Sequence, residues 1–365
     1  MLDFTLNYLP QLPAKTDYPI GCIGAGFIMR DVHIVAYHKA GFNVAAIASR
    51  TPSQAKAAAE ARGIGTVYDT WQELLDDERL EIIDIAFPPD KQLDIVREAV
   101  KRKHIKGILA QKPLAMNYQQ AKEIVELCDD AGIALGVNQN MRYDQSMRAL
   151  KSILDQGLLG KPVLATIEMR AIPHWQSFLR DYDRLTLLNM SIHHLDIMRY
   201  LFGDPERVFA SVSKDPRTAF EHRDGIALWI LEYADGMRAT SWDDVWTGPV
   251  REGSEGDLYI KWRVEGTDGM AHGTIGWVKF GDSDSQSTLE FTTKRQPGMW
   301  FKPRWKEFWF PDAFVGTMAQ LMTAIQTNSE PEISGRDNLK TMALVDAAYR
   351  SIETRNSVAI ADMMV

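Results

Sequence analysis

The first 140 residues alternate short apolar runs with helical stretches, and this alternation limits the possible folds more than any other feature of the chain. Five runs are apolar on both faces, as in strands covered from both sides: "IGCI" (20–23), "NVAAIA" (43–48), "IIDIAF" (82–87), "GILA" (107–110) and "IALGVN" (133–138). Helical stretches separate them, at 53–62, 90–103 and 117–131. Repeated βα units predict an α/β domain with a doubly wound parallel sheet, whose strands end along one edge, where ligands bind.

The second part of the chain has a different pattern of apolar and polar residues. Alternating strands appear: "VLATIEMRA" (163–171), "IALWILEY" (226–233), "MRATSWDDVW" (237–246), "LYIKWRVEG" (258–266) and "STLEFTT" (287–293). Helices are predicted at about 191–202, 312–327 and 336–353. These elements predict an α+β domain with a large, mainly antiparallel open sheet, so we divide the chain into domains 1–142 and 143–365. Nine of the ten tryptophans lie here. Sheet packing and a subunit interface explain them, and stacking on sugar rings is the alternative.

The composition excludes several classes of protein. The chain has 365 residues, enough for two domains with their own cores. Its 41 Lys and Arg against 49 Asp and Glu give a net charge of -8, which argues against nucleic acid as a partner. Two isolated cysteines, Cys22 and Cys128, form neither a disulfide framework nor a zinc pattern. No apolar stretch reaches the roughly 18 residues of a membrane span, and the N-terminus lacks a secretory signal, so we expect a cytoplasmic protein without a membrane partner.

A glycine pair follows the first strand directly, in "IGCIGAGFIMRDVH". Gly24 can make the tight strand-to-helix turn, and Gly26 lets a pyrophosphate approach the backbone at a helix N-terminus. The third glycine of the dinucleotide fingerprint is replaced by Met29, so the motif is incomplete. Its place in a βα array favours a dinucleotide site, with Phe27 and Ile28 as further contacts. A plain tight turn is the alternative.

Ser49 and Arg50 follow the second strand, where an NAD site usually carries an acidic residue that holds the ribose 2′-hydroxyl. Arg50 can instead pair with a 2′-phosphate, which favours NADP over NAD. Stacking of Arg50 on the adenine would leave that choice open. In "AFPPD", Phe87 and Pro88 follow another strand and can wall a cofactor cleft, although loop stiffening explains them equally well.

The stretch "GILAQKPLAM" (107–116) places a lysine directly after a buried strand. Pro113 cannot donate to a sheet ladder, so the strand should end at Gln111 and Lys112. A solvated loop lysine is the ordinary explanation of such a position. At the carboxyl edge of a dinucleotide-binding sheet, Lys112 has a second interpretation, as a residue held there for chemistry.

A helix in the second domain carries "LNMSIHHLDIMRYLFG" (188–203). Asn189 and His193 share a face if the helix already includes Asn189, because they are four residues apart. Asp196 follows His193 at a spacing of three and is also its neighbour. The adjacent His193 and His194 invite a metal interpretation, but neighbours in sequence point apart on a helix, so we expect no metal.

Together these segments resemble the glucose-fructose oxidoreductase / inositol dehydrogenase / rhizopine-catabolism (Gfo/Idh/MocA) family. The resemblance covers nearly the whole chain and rests on "GCIGAGF", "IDIAFPPD", "AQKPLAM", "GVNQNMRYDQS" and "NMSIHHLDIMRYLFG". It implies an N-terminal Rossmann domain and a C-terminal α+β domain whose sheet makes a homodimer or homotetramer. It also implies hydride transfer between NAD(H) or NADP(H) and a secondary hydroxyl or carbonyl carbon of a sugar, an inositol or a related compound.

The resemblance assigns roles to individual residues. The family's Glu-Lys-Pro motif appears here as Gln111-Lys112-Pro113, in which Lys112 is implied to bind the reacting oxygen and, with Gln111, the cofactor. The family's Asp and His, spaced D-x-x-x-H, correspond to Asn189 and His193. His193 can take the hydroxyl proton near neutral pH, and Lys112 can stabilise developing alkoxide character. Asn189 can orient the substrate or the imidazole without carrying charge.

Both replacements remove negative charge from the implied site, because Gln111 stands where the family carries Glu and Asn189 stands where it carries Asp. We therefore expect a more positive potential than in relatives, suited to NADP or to a polar, even anionic, substrate.

Softer candidates flank this centre. They are Asn140 for the cofactor and Arg142 for the substrate in "NQNMRYD", and His174 and Trp175 for the substrate in "AIPHWQSF". Sheet packing explains the aromatic segments about as well as sugar recognition does. The chain is thus interpreted as a dehydrogenase acting on a secondary alcohol carbon of a sugar, glycoside or cyclitol. The alternatives are a glycoside-cleaving enzyme that uses a tightly bound nicotinamide for transient oxidation, and a redox-silent sugar- or nucleotide-sensing protein.

Overall fold

The computed structural model describes residues 4–170, 177–244, 258–276 and 286–364. Within them the chain forms two compact units. The parallel-sheet domain comprises residues 9–143 and 310–339, and the mixed-sheet domain comprises the described residues of 4–8, 144–309 and 340–364. The chain leaves the first unit after Tyr143, close to the boundary that the sequence predicts, but two segments differ from that prediction.

Six parallel strands form the sheet of the parallel-sheet domain, in the order β3-β2-β1-β4-β5-β6. Their bounds are β1 Ile20–Ile23, β2 Val44–Ala48, β3 Thr66–Tyr68, β4 Ile82–Ile85, β5 Gly107–Ala110 and β6 Ala134–Val137. β1, β4 and β5 are buried along their whole length, as strands covered on both faces must be. The strand order reverses between β1 and β4, which is where sheets of this type bind ligands. The predicted doubly wound parallel sheet is confirmed.

Helices α1 to α5 connect these strands. Their bounds are α1 Ile34–Ala40, α2 Pro52–Arg62, α3 Trp71–Leu75, α4 Pro89–Ala99 and α5 Tyr118–Asp130, and a π-helical segment, Ile28–His33, leads into α1. The predicted start of α5 has a physical cause, since the Asn117 side chain accepts the Gln120 N–H at 3.0 Å and caps the helix.

A helix from far along the chain, α8 (Ala313–Thr327), packs on β5 and β6. Gly107 in β5 makes room for it, because a Cβ there would lie 2.7 Å from Ile325 Cδ1 and 3.3 Å from Leu321 Cδ1. The sequence places residues 310–339 in the second domain. They belong to the parallel-sheet domain instead, because the apolar α8 covers its sheet.

The mixed-sheet domain contains eight strands in the order β13-β12-β11-β7-β10-β9-β8-β14. Their bounds are β7 Pro162–Arg170, β8 Arg207–Ser213, β9 Ile226–Glu232, β10 Arg238–Asp244, β11 Tyr259–Gly266, β12 Gly269–Ile275, β13 Thr288–Thr293 and β14 Val358–Ala359. β7 and β10 pair in parallel, and the other neighbours pair antiparallel. The predicted, mainly antiparallel sheet is therefore confirmed.

Three helices accompany this sheet: α6 Gln145–Asp155, α7 Ile192–Phe202 and α9 Gly335–Thr354. α6 packs on β12 and β13 and contacts α7. The residues of α9 up to Leu339 belong to the parallel-sheet domain, and those from Lys340 onward belong to the mixed-sheet domain.

Residues 4–8 also belong to the mixed-sheet domain, although the sequence places them in the first. The Phe4 ring centroid lies 5.2 Å from those of Phe291 and Phe301, and Gln156 Nε2 donates to the Thr5 carbonyl at 2.7 Å. These contacts explain the difference. Nowhere in the described ranges is a helix long and apolar enough to cross a membrane.

Candidate active site

The strand ends of the parallel-sheet domain bring most of the predicted cofactor residues to one edge of the sheet. The turns that follow β1, β2, β4, β5 and β6 carry Gly24, Gly26, Phe27, Ile28, Ser49, Arg50, Phe87, Pro88, Gln111, Lys112 and Asn140. Parallel strands end on the same side of a sheet, so these turns surround the point at which the strand order reverses.

The turn after β1 has the geometry that a bound pyrophosphate requires. Gly24 has a φ of 117°, and a Cβ there would lie 2.8 Å from the Ala86 carbonyl oxygen, so no other residue fits. At Gly26 no atom of the described residues lies within 4 Å of the Cβ position. The exposed backbone of Gly26 directly precedes the helical segment that begins at Ile28, and anions bind at such helix starts. The turn therefore fits a dinucleotide.

The incomplete fingerprint also has a structural explanation. Met29 is fully buried inside the first helical turn, so the third glycine position serves packing. After β2, the Ser49 side chain is buried while Arg50 is exposed. Phe87 and Pro88 are half-buried. Of these residues, Arg50 carries the charge that could distinguish one cofactor from another.

Arg142 is engaged inside its own domain. It is 4% exposed, its Nη1 donates to the Glu332 carbonyl at 2.8 Å, and its Nη2 pairs with Asp337 Oδ2 at 2.6 Å. Asn140, in the same short helix, donates to the Asn138 carbonyl at 3.3 Å. These bonds hold Arg142 within its own domain, and its expected contact with substrate stays a prediction.

Lys112 follows β5 in a turn whose Lys112–Pro113 peptide bond is cis. Its side chain is half-buried, and the burial of the ammonium lowers the pKa of Lys112 from 10.5 to about 7. A solvated loop lysine would keep a pKa near 10.4. A lowered pKa is typical of lysines at functional sites, so Lys112 stays a candidate for a residue held for chemistry.

Gln111 links the backbone of Lys112 to a buried histidine. Its Oε1 accepts the Lys112 N–H at 2.9 Å, and its Nε2 lies 3.4 Å from His33 Nε2. His33 Nδ1 lies 2.8 Å from Asp84 Oδ2, and Asn138 Nδ2 lies 2.8 Å from His33 Nε2. A carboxylate only accepts, so we assign the ring proton to Nδ1 and leave Nε2 as an acceptor for both amides. The Gln111 amide therefore supplies a donor that the Nε2 atom of the buried His33 can accept.

Replacing Gln111 by Glu should destabilise the protein. A carboxylate would face the Nε2 lone pair of His33 and could not donate to it as the amide does. We expect thermal unfolding to show a loss of about 1–3 kcal/mol in the free energy of unfolding. The exposed Gln72→Glu in α3 is the control. An unchanged free energy of unfolding in Gln111→Glu would contradict the assigned tautomer.

In the mixed-sheet domain, the predicted Asn189 and His193 lie on one continuous helical segment. A π-helical turn, Leu187–Ser191, contains Asn189 and runs directly into α7, so the condition for a shared face is met. Both side chains are 5% exposed. The Trp309 ring lies edge-on to the His193 ring, with 6.1 Å between centroids. π-Helical turns occur frequently at functional sites.

Asp243 anchors this helical segment from β10. His194 Nδ1 lies 2.9 Å from Asp243 Oδ1, Ser241 Oγ donates to the same oxygen at 3.0 Å, and Ser191 Oγ donates to Oδ2. All four side chains are buried. Because His194 is bound to β10, the rotation of the helix about its axis is fixed, and with it the direction of the neighbouring His193. The metal interpretation of the paired histidines is not needed.

A second buried carboxylate caps the same segment. Asp224 accepts the N–H groups of Leu185 and Leu187 at 2.7 Å each and the Tyr349 hydroxyl at 2.9 Å. Burial raises the pKa of Asp224 to about 6. Asp224 and Asp243 both support this segment. The sequence gives no sign of the role of Asp224, since an Asp in "RDGIAL" is typical of a turn.

The remaining predicted residues have separate outcomes. Asp196 accepts from the Thr341 hydroxyl at 2.8 Å, which is a structural bond. His174 and Trp175 lie outside the described residues. Among the residues that the structure describes, no group of three or more His, Cys, Asp or Glu side chains could hold a metal ion.

Comparison with known proteins matches each domain to a family model. The model described as an oxidoreductase family with an NAD-binding Rossmann fold matches residues 19–139, and the GFO/IDH/MocA C-terminal domain model matches residues 147–272. Together the two models span more than half of the chain. The resemblance that the sequence motifs indicate is confirmed.

Individual relatives cover almost the full length. D-apiose dehydrogenase of Paraburkholderia graminis is 28% identical over 93% of this chain and 88% of its own. D-xylose 1-dehydrogenase (NADP(+)) 2 of Haloferax volcanii is 25% identical over 93% of this chain and 99% of its own. An oxidoreductase from Agrobacterium radiobacter, solved with NAD+, L-tartaric acid and magnesium, is 26% identical with a TM-score of 0.80 and covers 95% of this chain and 100% of its own. With both domains matched, the chain belongs to the Gfo/Idh/MocA oxidoreductase family and is an NAD(P)-dependent oxidoreductase.

Proposed function

We propose that the protein moves hydride between a nicotinamide and a secondary hydroxyl or carbonyl carbon of a sugar, glycoside or cyclitol. The observation that carries the proposal is the half-buried Lys112, with a pKa near 7, on the sheet edge that holds the Gly24 turn. Interconversion of an alcohol and a carbonyl develops alkoxide charge, which a positioned ammonium stabilises. The names of the apiose and xylose dehydrogenases support the sugar class.

The residues of this chain divide the work as follows. When bound, the nicotinamide supplies the acceptor or donor of the hydride. Lys112 binds the substrate oxygen and stabilises its negative charge in the transition state. His193 takes the hydroxyl proton during oxidation and returns it during reduction. Asn189, on the same helical face, orients the substrate or the imidazole without adding charge. Asp224 and Asp243 anchor the continuous helical segment that carries both residues.

We infer NADP as the favoured cofactor, because the exposed Arg50 stands where an NAD site carries an acid. Arg50→Asp should raise the dissociation constant for NADP+ by about tenfold or more and leave that for NAD+ within about twofold. Fluorescence titration with each cofactor measures both. Arg50→Gln, which removes the charge and adds none, should have a smaller effect in the same direction. Equal weakening for both cofactors would instead indicate that Arg50 stacks on the adenine.

A substrate panel tests the proposed reaction directly. Sugars, glycosides, inositols and hydroxy acids are each supplied with NAD+ and NADP+, and the corresponding carbonyl compounds with the reduced cofactors. We expect the absorbance of reduced nicotinamide to change with at least one sugar or polyol. No turnover with any compound and either cofactor would overturn the proposal. Cleavage of a glycoside without a net change in nicotinamide absorbance would identify the glycoside-cleaving alternative.

We also propose that the outer face of the mixed sheet joins copies of the chain in a homodimer or homotetramer. Phe209 and Ile230 are paired across β8 and β9 and, with Leu228, are 38% to 47% exposed. Apolar side chains grouped on a sheet face mark an interface. Phe209→Lys combined with Ile230→Lys should lower the mass measured by sedimentation. Met299→Lys, at a similarly exposed residue outside the strands, should not.

We place the protein in the cytoplasm, consistent with its cysteines. Cys22 and Cys128 are both buried and unbonded, and disulfides typify oxidising compartments. Fractionation of the source cells tests this placement, since recovery of the protein outside the cytoplasm would overturn it.

A further inference from the structure

We propose that Gln92 is a positioning residue for Lys112, holding the turn that carries it from both sides. The inference rests on the proposed function of Lys112. Gln92 lies in the first turn of α4, is fully buried, and does not occur in any motif that the sequence singles out.

Gln92 binds backbone groups on both sides of Lys112 in the chain. On the N-terminal side, its Oε1 accepts the Gln111 N–H at 2.8 Å and its Nε2 lies 2.9 Å from the Gln111 carbonyl. On the C-terminal side, Nε2 lies 2.8 Å from the Pro113 carbonyl and 3.2 Å from the Leu114 carbonyl. One side chain thus binds the backbone before and after Lys112.

A primary amide is the group that this arrangement requires. It offers an acceptor oxygen and two N–H donors on one planar head, whereas a carboxylate cannot donate and an aliphatic side chain can do neither. Three carbonyl oxygens surround the Nε2 atom, and the bonds to those of Pro113 and Leu114 are buried. Removing the amide would therefore leave buried backbone groups without this partner.

These hydrogen bonds matter for the chemistry because they fix the direction in which the Lys112 side chain leaves the backbone. Gln111 Oε1 holds the Lys112 N–H as well, so the backbone is bound before, at and after the lysine. Burial lowers the pKa of Lys112 to about 7. If the turn loosens, the ammonium gains water, and its pKa should return toward the ordinary value.

The experiment measures the titration of Lys112 without requiring turnover. Amine acylation of the whole protein is run across a pH series, and the peptide that contains Lys112 is quantified by mass spectrometry. Gln92→Met, which loses all the bonds, should raise the midpoint by about one pH unit or more. Gln92→His, which keeps one donor and one acceptor, should give an intermediate shift. With a substrate from the panel, Gln92→Met should lower kcat by about tenfold.

Val96→Ala is the matched control, since Val96 is buried in the same helix and makes no bond to the turn. It should lower the melting temperature and leave the Lys112 midpoint in place. The inference is overturned if a folded Gln92→Met, or Gln92→His where the first does not fold, titrates like the parent. A Val96→Ala shift equal to that of Gln92→Met would also overturn it. If the Lys112 midpoint shifts in Gln92→Met but the parent protein turns over no compound of the panel, the positioning role stands and the proposed function is wrong.

Discussion

Replacing His193 by Asn should lower kcat by about 10²- to 10⁴-fold, because the variant keeps a hydrogen-bonding side chain but cannot accept the hydroxyl proton. The dissociation constant of the cofactor should change little, since the proposed role of His193 is to exchange a proton with the substrate hydroxyl. Single-turnover measurement of reduced nicotinamide, with the best substrate of the panel, gives the rate of the chemical step. Added imidazole should restore part of the rate in His193→Ala.

The neighbouring histidine is the matched control for this experiment. His194→Asn removes an equally buried ring from the same helix, but one that bonds to Asp243. It should lower the free energy of unfolding by about 1–3 kcal/mol and kcat by less than about tenfold. If His194→Asn slows the reaction as much as His193→Asn does, the proton-accepting role of His193 is wrong.

Replacing Lys112 by Met should lower kcat by about 10²- to 10³-fold, because the variant keeps the length of the side chain and loses the charge that stabilises the alkoxide. The pH profile gives a sharper signature. Burial lowers the pKa of Lys112 to about 7, so in the parent protein the charged form is lost as the pH rises through that value. If the charged form is the active one, kcat/KM should fall above about pH 7 in the parent, and this limb should be absent from Lys112→Met.

Lys112→Arg tests whether the reaction depends on the charge of the Lys112 side chain or on its shape. A guanidinium stays charged across the whole range, so the descending limb should disappear while some activity at high pH remains. Its larger planar head fits the turn less well, and kcat at neutral pH should be lower than in the parent. A descending limb that persists unchanged in Lys112→Met would assign the titration to another group.

The sequence predicts most of the strands whose pattern is strong, but it does not predict β8, "RVFASVS". In the parallel sheet, β1, β2, β4, β5 and β6 are largely apolar runs, and the sequence predicts all five. β3 was missed because its three residues are half-buried at the sheet edge and carry no apolar run. In β12, "GMAHGTI", two glycines and a histidine conceal the alternation. β14 has only two residues, and its pairing with β8 becomes visible only in the folded chain.

The candidate site likewise contains residues that the sequence predicts and residues that it does not. Lys112, Asn189 and His193 stand out in local motifs, whereas the groups that support them are joined only by folding. His33 meets Asp84 across 51 residues of chain, and His194 meets Asp243 across 49. The sequence does indicate one thing about the His33–Asp84 pair. A carboxylate in the fully buried strand "IIDI" must find a hydrogen-bonding partner. The identity of that partner depends on which strands become neighbours.

The late position of α8 in the chain has a consequence for biosynthesis. Roughly 170 residues separate Tyr143 from Ala313, and a ribosome adds them in about 10–30 s. During that interval the part of the parallel sheet that receives Leu321 and Ile325 has been made, but its cover has not. The nascent chain therefore exposes apolar strands while residues 144–309 of the mixed-sheet domain are being translated. A chaperone that binds such a surface would act on this protein before the ribosome releases it.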